Sequence, residues 1–212
     1  MSHAFELFAV FAVQLFIIVD PIAGIPIFIS ITQTKTRSEQ RITARRGCII
    51  ACLVIVLFLA AGSHILNYFG IETSAVRIAG GILLFVIALE LIYGQATRTE
   101  TSSREEQLAE AKPDVTVTPL AIPLLAGPGA IATSIIFAGR TASLVDLGAL
   151  CAGAIVVFAI TYFFLHWADH IYHAVGVLGM TVMARIMGLL LAFIAVQYVI
   201  DGIRNLPILH LK

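Results

Sequence analysis

The amino-acid sequence predicts an all-α integral membrane protein of six transmembrane helices, arranged as two inverted three-helix repeats with a broken helix at the first span of each repeat. Three observations carry this expectation. Hydrophobic residues make up 59% of the 212 residues and charged residues only 12%, whereas an average soluble chain is roughly a quarter charged. Six apolar runs approach or exceed the roughly 20 residues a helix needs to cross a bilayer. Two of those runs are interrupted by proline and glycine, at VDPIAGIPIF (19–28) and at AGPGAI (126–131).

The runs lie at about 5–31, 47–66, 76–93, 119–139, 144–166 and 183–203. They lack the alternation, and exceed the roughly ten-residue length, of outer-membrane barrel strands. The 13 basic and 13 acidic residues cancel, so net charge points to no nucleic-acid or acidic partner. Their distribution is more informative. TKTRSEQRITARR, between spans one and two, carries Lys35, Arg37, Arg41, Arg45 and Arg46, and the linker 95–118 carries Arg98, Arg104 and Lys112. Both segments are expected on the cytoplasmic side. The second and fourth loops, with little positive charge, then face outward, and an even number of spans leaves both termini outside; Arg204 and Lys212 run against this orientation. The first residues, MSHAFELFAV, lack the basic start of a secretory signal and read as mature protein. Cys48, Cys52 and Cys151 fall in apolar runs, where a thiol is a small hydrophobe.

The linker 95–118 is rich in Ser, Thr, Glu and Gln, with a short helix expected over SSREEQLAEAK. It divides the chain into a first three-span unit, 1–94, and a second, 119–212. The third spans of the two units align: RIAGGILLFVIALELIYG (77–94) over RIMGLLLAFIAVQYVIDG (185–202) pairs Arg77 with Arg185, Gly80 with Gly188, Phe85 with Phe193 and Gly94 with Gly202. Nearly the same offset sets Pro21 over Pro128. An odd number of spans per unit makes the units enter the membrane from opposite faces, the inverted-repeat plan of many secondary transporters.

The interruptions have a specific chemistry. A straight helix over 5–31 would run about 40 Å, longer than the roughly 30 Å hydrocarbon core. Pro21 and Pro26 lack the N–H of an intrahelical bond. Asp is a preferred N-cap and Pro is favoured at the first helical position, so Asp20-Pro21 encodes a helix start inside a membrane span. Gly127-Pro128-Gly129 encodes another, with glycine in place of the carboxylate. A helix start offers free amides and the positive end of a dipole, suited to an anionic group. The candidate substrate-binding set is therefore Asp20, Pro21 and Gly24 from the first break with Gly127, Pro128, Gly129, Ala130 and Thr133 from the second. The two together suit a zwitterion: amides for its carboxylate, Asp20 for its ammonium or for a coupling proton or cation. The blander assignment makes Asp20 only a cap and the glycines only small packing residues.

Other polar residues read more simply. Arg77 and Arg185 suit anchors that snorkel to the interface, and Glu90 lies where the interface can solvate it. Gln14, Ser30, Thr133 and Ser134 could bond a substrate or glue helices together. His166, Asp169, His170 and His173 share a helical stripe at the end of span five, which marks a water boundary more readily than a metal site. The sequence contains no G-x-S-x-G, no H-E-x-x-H and no Walker loop, so neither an enzyme, a cofactor nor a metal is expected.

DPIAGIPIF, RIAGGILL, PLAIPLLAGPGAIAT and RIMGLLLA, in that order along nearly the whole chain, resemble the MarC family of six-span membrane proteins. The resemblance implies a protein of the plasma or bacterial inner membrane, grouped with exporters. One branch, the SnatA-like proteins, implies small neutral amino acids such as glycine and alanine as substrates. Some relatives have Asn at the position of Asp20, which suits a capping role that either side chain fills. The functional expectation is an exporter or exchanger working by alternating access, with export of a metal ion or drug-like solute, or a non-transporting membrane scaffold, as the alternatives.

Overall fold

The computed structural model describes residues 3–94 and 125–206. The linker 95–118, its expected short helix, Pro119, Pro123 and Lys212 lie outside the described residues. The described chain forms α1 (His3–Val19), α2 (Pro21–Ile31), α3 (Arg37–Phe69), α4 (Thr73–Tyr93), α5 (Pro128–Ala138), α6 (Leu144–His166) and α7 (Ala168–Arg204). Among the described residues, five stretches are long and apolar enough to cross a membrane: α1 with α2 as one span, α3, α4, α6 and α7. The predicted fourth span is represented among the described residues by α5, a shorter apolar helix.

Two helices, α3 and α7, depart from the hydrophobic runs, each for a local reason. Helix α3 begins ten residues ahead of its apolar run because Thr36 and Glu39 form a capping box. The Thr36 side chain accepts from the Glu39 amide at 3.3 Å, and Glu39 accepts from the Thr36 amide at 2.8 Å. The basic segment is therefore mostly helix rather than loop, and at about 1.5 Å per residue α3 outreaches the hydrocarbon core. Ser143 and Asp146 form the equivalent box at the start of α6. Helix α7 starts at Ala168 but breaks at Gly176, whose φ of 72° and ψ of 169° are non-helical. That conformation is open only to glycine. A short helix over 168–175 thus precedes the membrane helix, which runs from residue 177.

The buried face of α3 is the stripe Ala44, Cys48, Ala51, Ile55, Leu59, Gly62 and Leu66, while Ile49, Leu53 and Leu57 on its opposite side are exposed. Small residues such as Ala44, Ala51 and Gly62 let the neighbouring helices come close, and the large aliphatics on the opposite side suit lipid, since burying apolar area against protein gains little over burying it in lipid.

The directions of the helices follow from their contacts. His3 meets Asp146 at one end of the bundle, a Cβ on Gly153 would touch Phe11 at 3.1 Å, and Phe16 packs near Phe164 toward the other end, so α1 and α6 run parallel. Arg37, at the start of α3, bonds Asp169 just beyond α6 at 2.6 Å, so α3 runs antiparallel to both. Helices α4 and α7 form the most extensive pair and are antiparallel. A Cβ on Gly81 would lie 2.7 Å from the Ala195 carbonyl, and one on Gly188 would lie 3.0 Å from the Ala88 carbonyl. Backbone thus approaches backbone through small residues.

One core cluster joins α1, α2, α3 and α6, with Ala168 and Met180 of α7. A second joins α4 and α7. Helix α5 contributes Ala130 and Phe137 to the first and Ile136 to the second, and Ile18 packs against both. The end of α1 and the start of α5 therefore lie on the seam between the two clusters.

Candidate functional site

The first break is one residue wide. Asp20 donates its amide to the Phe16 carbonyl at 3.0 Å, and its own carbonyl accepts from Gly24 at 3.1 Å. Helical bonding is therefore kept on both sides while Asp20 takes φ 41° and ψ 67°. An N-cap ordinarily has extended backbone; here the cap sits in the left-handed region, which Asp enters more readily than most residues. Its Oδ1 accepts from the Ala23 amide at 3.2 Å, and Pro21 follows at the first helical position. Pro26, inside α2, has no N–H to offer the preceding turn. Asp20 is only 7% exposed, and its Oδ2 is buried with no hydrogen-bond partner. One turn on, Gly24 is buried, yet a Cβ there would meet nothing within 4 Å. The carboxylate thus spends one oxygen on the cap and leaves the other uncommitted.

The second break is built differently. Gly127 caps α5 with extended backbone, φ −67° and ψ 169°, and without a side-chain bond. Pro128 follows, and the Gly127 carbonyl accepts from Ile131 at 3.1 Å. Gly129, Ala130, Thr133 and Ser134 are buried. Ser134 donates back to the Ala130 carbonyl at 2.8 Å, a purely local bond. Thr133 is fully buried, and its hydroxyl, close to Tyr198, makes no hydrogen bond of ordinary geometry. Tyr198 donates to Gln14 Oε1 at 2.7 Å.

The end of α1 and the start of α5 approach each other at the seam. A Cβ on Gly129 would collide with Leu84, at the middle of α4, and would lie 3.6 Å from Ile18, two residues before Asp20. Helix α5 leaves this region toward the start of α4, where Gly139 approaches Thr73. Helix α2 leaves toward the opposite end, where Phe28, Ile29 and Thr32 line a cavity of about 40 Å³ with Leu165, His166 and Asp169. Each half-helix therefore has its amino end inside the bundle and its carboxyl end at a different face. Pro128 is exposed and lines, with Leu66, Val76, Gly80, Ile131 and Ile135, an apolar groove of about 570 Å³. Asp20 is absent from the lining of both spaces.

Other sequence candidates fall elsewhere. Ser30 is exposed at the far end of α2. Arg185 is exposed, as an interfacial anchor should be, but Arg77, which the sequence alignment sets against it, is half-buried with Nε unpartnered. His166 pairs with the Tyr162 hydroxyl at 3.3 Å, and Asp169 is taken by Arg37. Among the described residues no group of three His, Cys, Asp or Glu is placed to hold a metal ion.

Sequence reasoning missed Tyr198, Arg140 and Asp201 as functional residues; they interact electrostatically with Arg77 at the end of the bundle where α4 begins and α7 ends. The repeat alignment held a signal for two of them. It sets Tyr198 over Glu90 and Asp201 over Tyr93, polar departures within otherwise matched apolar helices.

The MarC family integral membrane protein model matches residues 5–207. The chain is 34% identical over 199 residues to the UPF0056 membrane protein YvbG of Bacillus subtilis, covering 93% of this chain and 94% of that one. It is 34% identical over 212 residues to a UPF0056 membrane protein of Aquifex aeolicus, with 95% and 96% covered, and 32% identical over 203 residues to the UPF0056 membrane protein YhcE of Escherichia coli, with 95% and 94% covered. No solved structure matches. A family match over nearly the whole chain, together with full-length relatives in bacteria from distant lineages, places the chain in the MarC family of integral membrane proteins.

Proposed function

We propose that this chain is a secondary transporter of a small neutral amino acid, alanine or glycine in kind, and not an enzyme. It works in the plasma membrane by alternating access between two inverted three-helix repeats, 1–94 and 119–212, joined by a cytoplasmic linker. The observation that carries the reading is a pair of half-helices that start within the bundle, one bare and one capped by a carboxylate with a spare oxygen, with Gly129 of the first beside Ile18 just ahead of the second. Free amides at the start of α5 suit a carboxylate. The spare Asp20 oxygen suits an ammonium or a coupling proton or cation.

The packing pattern supports the repeat. Helix α2 lies against α6 and α7, and α5 lies against α3 and α4. Exchanging the two halves turns the first set of neighbours into the second. The antiparallel α4–α7 pair maps onto itself under the same exchange, as a two-fold axis in the membrane plane demands.

The test is uptake of labelled alanine and glycine into proteoliposomes by the wild type, Gly129→Leu and Asp20→Asn. The leucine would be driven into Leu84 and Ile18, so transport should vanish, whereas Asn still caps and should cost at most part of the rate. Absence of uptake, counterflow and binding of either amino acid by the wild type removes the substrate assignment. The apolar groove at Pro128 favours one second reading, export of an apolar drug-like solute, and dye efflux in the same vesicles distinguishes the two.

A further inference from the structure

We propose that Arg77, Arg140, Tyr198 and Thr133 form a binding site for a small carboxylate monoanion at the end of the bundle where α4 begins and α5 and α7 end, separate from the helix tips at the seam. The first support is an unbalanced charge. Arg77 lies within electrostatic reach of Arg140, of Tyr198 and of one carboxylate, Asp201, and Arg140 also reaches Tyr198. Asp201 already accepts from Gln197 Nε2 at 2.8 Å. Two neighbouring guanidinium groups with one carboxylate beside Arg77 leave a single positive charge, which matches a monoanion and disfavours a dianion.

The second support is two polar atoms from different helices that are buried without a hydrogen bond, Arg77 Nε and Thr133 Oγ1. Buried polar groups are nearly always paired, and a guanidinium fork pairs a carboxylate with two parallel bonds. The third is preorganisation. Arg140 is held with its guanidinium carbon 4.9 Å from the centre of the Phe137 ring, an arrangement that fixes a cation while leaving its N–H groups free. Tyr198 is fixed by its bond to Gln14.

The placement gives the site a role if the transport reading holds. Thr133 stands one helical turn beyond Gly129 on α5, so a carboxylate entering from this end meets the arginines first, then the Tyr198–Thr133 pair, then the bare amides of α5. A guanidinium pair at the mouth raises the local concentration of anions and selects solutes that carry a carboxylate.

The experiment uses the purified full-length chain in detergent, labelled with the arginine-directed reagent phenylglyoxal and read by peptide mass spectrometry. Acetate is the probe, and exposed Arg185 is the internal control. Acetate should slow modification of Arg77 and Arg140 about tenfold or more and leave Arg185 unchanged. Asp201→Asn, which removes the competing carboxylate, should lower the acetate concentration needed. Equal labelling rates with and without acetate overturn the site. So does protection by phosphatidylglycerol but not by acetate, which would make Arg77 a lipid headgroup anchor. Neither result depends on whether alanine is transported, so failure of the site and failure of the transport reading are separately visible.

Discussion

Asp20 combines two local demands, a left-handed backbone and an N-cap, and substitutions separate them. Alanine removes the Oδ1 bond to Ala23, which costs about 1 kcal/mol. It also forces a Cβ without a compensating polar group into φ 41°, which costs roughly a further 1–2 kcal/mol. Glycine relieves the backbone but gives up the side-chain cap and some chain entropy, a net loss of about 1 kcal/mol. Asparagine keeps both the cap and the tolerance of the left-handed region, and should fall within about 0.5 kcal/mol of the wild type. The expected order of stability is therefore Asp and Asn together, then Gly, then Ala. Heating each variant in one detergent and measuring the monodisperse fraction by size exclusion reads that order directly. A stable Ala variant, or a Gly variant weaker than Ala, would refute the account of the break. If Asn is stable and transports, the charge of Asp20 is dispensable; if it is stable and inactive, the spare oxygen must be an anion.

Two further outcomes follow from the packing and the surface charges. Gly188→Leu should separate α4 from α7, because even a Cβ there meets Leu91 at 2.8 Å and the Ala88 carbonyl at 3.0 Å; a loss of about 3 kcal/mol or more, seen as collapse of the monodisperse peak, is expected, with Gly148→Ala, where a Cβ meets nothing within 4 Å, as the neutral control. Arg37→Ala should lower stability by less than about 1 kcal/mol in the same assay, since the Arg37 side chain is 69% exposed in its pair with Asp169 and such pairs contribute little.

The membrane helices and their breaks were legible because they rest on local chemistry. Apolar run length gives the spans, and Asp20-Pro21 and Gly127-Pro128 give the helix starts whatever surrounds them. The missed boundaries were local too: Thr36-Arg37-Ser38-Glu39 is a capping box written in four residues, but it lies in a charged stretch that hydropathy assigns to loop. What the sequence could not supply was distance. That Gly129 abuts Leu84 and Ile18, and that Arg77 gathers with Arg140 and Asp201 while Arg185 stays at the surface, depends on how α4, α5 and α7 pack. The left-handed backbone of Asp20 and the bend at Gly176 were equally hidden, since a residue type permits such a conformation without demanding it.

The two breaks differ in how their amides are satisfied, and that difference predicts a conflict between stability and function. Helix α2 carries its own acceptor in Asp20, while α5 begins at Gly127 with no side-chain acceptor. A helix start without a cap leaves donors that water, or a ligand, must meet. Gly127→Asn would supply one: φ −67° and ψ 169° are open to any residue, and an Asn side chain caps well without introducing a buried charge. The cap and the reduced freedom of the unfolded chain together should raise stability by about 1 kcal/mol. The same side chain would occupy the amides proposed to receive the substrate carboxylate, so alanine transport should fall even as the protein becomes harder to unfold. A variant that misfolds loses both properties, and one whose amides have no role in binding gains stability with transport intact. Gained stability with lost transport fits α5 as the end that takes the anion, and gained stability with transport intact would transfer that task to another part of the bundle.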